Sequence, residues 1–207
     1  MEDTLNQTQN TSTLVKESLT KAMTYEDYRA LVADHAEKGT STGPNQTEAL
    51  TQYTLLSHAR MKRLDKTTKI PEEVATKFEQ FTGNHTWLVL TESWCGDAAQ
   101  SMPAINKLVA LAPQVDFKVV LRDENLDLMN AFLTNGGMSI PKLIVFNNDT
   151  NEVVGDWGPR PSKATAMVDD FKKNVGPLTP EFKKDLQVWY NKDKNVNIIE
   201  DLEAFAQ

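Results

Sequence analysis

Four short apolar runs, each closed by turn residues and spaced by helical periodicity, constrain the fold of this chain more than any other feature. Trp87–Thr91 (WLVLT), Phe117–Leu121 (FKVVL), Lys142–Phe146 and Glu152–Trp157 read as strands. A helix from about Asp97 to Leu111, closed by Pro113, stands between the first two. A short helix, Leu126–Leu133, ended by Asn135-Gly136-Gly137, stands between the second and third. Asn147-Asn148-Asp149 marks a turn before the fourth strand, and Gly158-Pro159 breaks it ahead of a helix over Ser162–Asn174. The order over residues 86–174 is β-α-β-α-β-β-α. The first two strands, joined by a crossover helix, are expected to pair in parallel, and the last two to form an antiparallel hairpin. The expectation is an α/β sandwich: a mixed sheet flanked by helices.

The flanks are helical or polar. Residues 1–22 are rich in Asn, Gln and Thr and are expected to be disordered. Residues 23–84 read as a helical extension of three helices. The first carries Tyr25, Tyr28, Leu31 and Val32 at spacings of three and four, after a Thr24/Asp27 capping box. The second follows the break at Gly43-Pro44 and places Leu50, Tyr53, Leu56 and Met61 on one face, which could dock on the α/β unit or bind a partner. The third begins at Pro71 and turns Val74, Phe78 and Phe81 inward. Residues 85–175 form the α/β unit, and 176–207 form a C-terminal helical segment. No internal repeat is present.

Charge narrows the function classes. With 22 Lys+Arg against 29 Asp+Glu the formal net charge is −7, which opposes binding to a phosphate backbone, so nucleic acid is not an expected partner. No apolar stretch is long enough to span a membrane. The N-terminus has acidic Glu2 and Asp3 where a secretory signal has basic residues, so residence in the cytoplasm is expected. His35, His58 and His85 match no metal-ligand spacing, and neither metal nor cofactor is expected.

Cys95, the only cysteine, follows a strand and precedes a helix. Unpaired backbone N–H groups and the macrodipole at a helix N-terminus favour negative charge and lower a thiol pKa. The other reading is a small buried hydrophobe, as most free cysteines are. Trp94 precedes it, Gly96 leaves room for a partner's backbone, and Asp97 is a candidate cap whose charge would oppose a thiolate. Glu92 and Gln100 are expected on the rim. Arg160, in the stiff run Asp156–Pro161 (DWGPRP), either stands near the sulfur, lowering its pKa or gripping an anion, or is a solvated loop residue.

The stretch WLVLTESWCGDAAQSMPAI resembles the strand, active-site loop and helix of the thioredoxin superfamily, with Pro103 in the helix. VVLRDENLDLMNAF and SIPKLIVF resemble two further family segments, and the whole is most similar to a bacterial branch of thioredoxin-like proteins. The resemblance implies a thioredoxin fold, an attacking cysteine at Cys95 and a cis-proline at Pro141, with Ile140 offering its backbone to an extended partner. A trans proline opening a strand is the alternative. Where the family has its second cysteine this chain has Ala98, and Val89 replaces the family's buried acid. The resemblance thus implies thiol–disulfide exchange by one cysteine, with a protein disulfide or low-molecular-weight thiol as partner and an external thiol to resolve the mixed disulfide. A redox-inactive peptide- or protein-binding module and a cysteine-based sensor are the alternatives. Oligomeric state stays open.

Overall fold

The computed structural model describes residues 2–206, and side chains from residue 10. Four strands, β1 (His85–Thr91), β2 (Val115–Leu121), β3 (Lys142–Asn147) and β4 (Glu152–Trp157), form one sheet in the order β2-β1-β3-β4. β1 pairs parallel with β2, Val89 opposite Val119, and antiparallel with β3, Val89 opposite Leu143. β3 and β4 form the antiparallel hairpin, with a bulge between Val145 and Phe146. β1 is buried at every position, as a central strand covered on both faces must be, which explains its unbroken apolar run. The outer edge of β2 is covered by Met23, which exchanges both backbone hydrogen bonds with Val119 at 2.9 Å.

The helices are α1 (Glu2–Leu19), α2 (Tyr25–Lys38), α3 (Glu48–Thr67), α4 (Glu72–Gln80), α5 (Gly96–Val109), α6 (Leu126–Ala131), α7 (Ser162–Asn174), α8 (Pro180–Asp193) and α9 (Val196–Leu202). α5 packs on β2 and is surrounded by α3, α4 and α9, while α1 touches β2, β4 and α6. Trp87 of β1 lies edge-on between Phe78 of α4 and Phe205 after α9, each ring centroid 5.9 Å away. The helical segments before and after the sheet therefore share its core.

Two expectations need correction. The polar N-terminus is helical over Glu2–Leu19, because Val15 and Ser18 are buried and Leu14 and Leu19 pack on the core; four well-placed residues suffice to dock a helix whose composition reads as disorder. In α3 the inward face is Thr54, Ser57, Met61 and Leu64, whereas Tyr53 and Leu56 are 48% and 55% exposed. The small residues face inward because α3 packs directly against α5. Tyr53 and Leu56 are left on the surface, lining the space beside Cys95.

Candidate functional site

β1 ends at Thr91, and the chain turns on the carbonyl of Glu92, which accepts hydrogen bonds from Tyr28 Oη of α2 (3.1 Å) and from Cys95 N–H (3.0 Å). Cys95 is the N-cap of α5, its Sγ accepting from the Ala98 N–H at 3.4 Å. The thiol donates in turn to the Ile140 carbonyl at 3.2 Å. The Ile140–Pro141 peptide bond is cis, which places that carbonyl beside the sulfur. Cys95 is 6% exposed, Ile140 is buried, and Ala98 is sealed in the core.

This surrounding reverses the expected acidity. Burial pushes the Cys95 thiol up to about 12, and the carboxylate of Asp97 adds to the rise; the N–H groups of Ala98 and Asp97 and the positive charge of Arg160 pull the other way without prevailing. The N-terminus of α5 is present as read from sequence. What sequence could not show is how completely the sulfur is withdrawn from water.

Asp97 does not cap the helix. Its Oδ2 takes an ion pair from Arg160 Nη2 at 2.7 Å and its Oδ1 a hydrogen bond from Tyr190 Oη of α8 at 3.0 Å. Arg160 is therefore neither solvated nor paired with the sulfur. It is held by the loop after β4, whose Gly158–Pro159 bond is also cis. Gly158 has φ +118°, and a Cβ there would lie 2.2 Å from the Pro141 carbonyl oxygen, so only glycine lets the two proline turns meet. The space beside Gly96 is taken by Arg60 of α3, whose Nη1 donates to the Gly96 carbonyl at 3.1 Å. Trp94 lies under the guanidinium of Arg122, 5.0 Å from its centroid.

Glu92 and Gln100 are buried rather than on a rim. Glu92 accepts from Thr42 Oγ1 and, at 2.9 Å, from the Asp123 N–H. Thr42 also accepts from the Ser93 N–H at 2.8 Å, so the α2–α3 connection is sewn to the cysteine loop. Burial raises the Glu92 carboxyl above its ordinary value.

Above Cys95 opens a cleft of about 540 Å³. α3 supplies Leu50, Tyr53, Leu56 and Arg60; α8 and the residues before it supply Leu178, Lys183, Leu186 and Tyr190; Met138–Ile140, Pro159 and Arg160 complete it. Arg60 and Tyr190 lie tens of residues from Cys95 on elements with no local motif, and Lys183 reads from sequence as part of a solvated helix face. The apolar stripe of α3 was the one available signal. Among the described residues no helix is long and apolar enough to cross a membrane, and no cluster of three potential ligands could hold a metal ion.

A parallel β-α-β unit extended by an antiparallel hairpin, a cysteine capping the helix after the central strand, and a cis X–Pro bond against its sulfur together define a thioredoxin-fold protein. The sequence matches the thioredoxin family profile over residues 43–172, and the chain belongs to that family. It is 27% identical over 141 residues to a protein disulfide-isomerase of Hordeum vulgare, an alignment covering 62% of this chain and 26% of that protein. The chain thus spans about a quarter of that relative's length. Among solved structures it is similar to a protein of unknown function from Pseudomonas aeruginosa, with a TM-score of 0.55, 18% identity, and 72% and 82% of the two chains covered. It is also similar to an HIV epitope scaffold, with a TM-score of 0.54, 16% identity, and 88% and 96% covered. These structures support the fold alone.

Proposed function

We propose that this protein is a ligand-binding member of the thioredoxin family, whose cleft over Cys95 holds its partner without covalent turnover. The observation that carries this reading is the state of the sulfur: a buried thiol donating to Ile140 O beside the Asp97 carboxylate. Exchange requires the thiolate, and a thiol held this far above neutral pH supplies almost none. Ala98 offers no second sulfur to expel a product, and is itself buried.

A second reading is one-cysteine thiol–disulfide exchange, favoured by the helix-capping position of Cys95 and by the likeness to a disulfide isomerase. There the Cys95 thiolate would attack a protein or small-molecule disulfide, one thiolate would leave, and an external thiol would attack the mixed disulfide and restore Cys95. Incubating the native chain with oxidised glutathione and reading intact mass separates the two. The binding reading predicts an unmodified native chain that becomes modified only in urea. Native modification faster than that of the unfolded chain would establish exchange.

A further inference from the structure

The cleft is built for charge as well as for apolar area, and the charge is unbalanced. On a chain of net charge −7 it gathers Arg60, Arg122, Arg160 and Lys183 around a single carboxylate, Asp97. Asp97 is already engaged by Arg160 and Tyr190, and Arg122 by Asp123. Arg60 is half-buried, which lowers its pKa, and the Asp97 carboxylate opposes that shift; among the described residues Arg60 forms no direct ion pair, and its hydrogen bond is to the neutral Gly96 carbonyl. The Nε of Arg160 is buried without a hydrogen-bond partner. Arg60 and Arg160 thus share the one carboxylate of Asp97, and an anion entering the cleft supplies the negative charge that this sharing leaves unmet.

The other wall fits an apolar body. Tyr53 and Leu56 stand exposed on α3, Met138 is 46% exposed beside the Ile140–Pro141 turn, and Leu178 and Leu186 line the α8 side. The cleft volume lies in the range of small-molecule sites.

Resting on the binding reading above, we infer that the cleft takes a small amphipathic anion, an organic carboxylate or sulfonate with an apolar body, its acid group held by Arg60 and Arg160 and its body lying along Tyr53 and Leu56. Lys183, exposed at the α8 wall, adds attraction at the entrance.

Two fluorescent probes of one shape test this: 1-anilinonaphthalene-8-sulfonate, which is anionic, and N-phenyl-1-naphthylamine, which is neutral. The full chain is expected to bind the anionic probe roughly tenfold more tightly, octanoate is expected to displace it, and Arg60→Gln is expected to remove most of the preference. Lys183→Gln, on an exposed helix face and safe for folding, is expected to weaken the anionic probe about twofold and to leave the neutral one unchanged. The inference is overturned by equal affinity for the two probes, by loss of neither preference nor affinity in both variants, or by displacement with an acidic apolar peptide but not with octanoate. Should Arg60→Gln not fold, by circular dichroism, Lys183→Gln and the octanoate competition decide. Rapid exchange with oxidised glutathione would instead refute the binding reading, so the two failures are distinguishable.

Discussion

At the scale of single residues, the site turns on a contest at Cys95 between a helix N-terminus, which favours a thiolate, and burial beside Asp97, which opposes it. Burial prevails. Asp97→Asn removes a negative charge that raises the Cys95 pKa and frees Arg160 to act on the sulfur, so that pKa is expected to fall, read as faster alkylation of the variant than of the parent chain at the same alkaline pH. An unchanged alkylation rate would mean that Asp97 does not reach the sulfur electrostatically. The position of Cys95 after a strand and before a helix was legible in the sequence, because turn and capping residues are local signals. Its acidity was not, because Asp97, Arg160 and Tyr190 meet only in the folded chain. Arg160 was legible as a candidate for its stiff, proline-flanked loop, but its carboxylate partner was not.

At the scale of elements, the strands and α5–α7 follow the sequence closely, since each carries its own periodicity and its own breakers. The misread elements are those whose placement depends on a neighbour. α1 is polar along most of its length and packs against β2, β4 and α6, with Val15 fully buried. Val15→Ala is expected to lower the stability of the whole chain by about 2 kcal/mol in chemical denaturation. A loss below ~0.5 kcal/mol would show that α1 detaches without consequence. α3 carries the more instructive error. Its apolar residues read as one face, yet packing on α5 takes up Met61 with Thr54 and Ser57, and Leu50, Tyr53 and Leu56 are left to line the cleft. An apolar stripe that the core does not absorb was the sequence's one pointer to a binding surface outside the cysteine loop.

At the scale of the molecule, helices from both ends of the chain complete the site: α3 supplies Arg60, and α8 supplies Tyr190 and Lys183. The Thr42–Glu92–Asp123 junction ties the extension to the sheet. Burial holds the Glu92 carboxyl above its ordinary value, so folding favours its protonated form. That contribution is present in full below the unfolded carboxyl's pKa and is lost as pH rises through the higher folded value. Glu92→Gln keeps an acceptor for the Asp123 N–H and gains a donor for Thr42. It is expected to leave stability in acid nearly unchanged and to raise it near neutral pH by on the order of 1 kcal/mol, measured by urea unfolding at both pH values. A variant less stable at neutral pH would show that the buried carboxylate, charged and hydrogen-bonded, contributes to the fold.

The most direct test of the central claim is the rate of Cys95 alkylation by iodoacetamide on the native chain across pH, with folding monitored at each point. A thiol buried beside Asp97 predicts a rate that is slow at neutral pH and still climbing at about pH 10, without a plateau. A midpoint below the free-thiol value of about 8.5 would contradict this account and establish Cys95 as a prepared nucleophile.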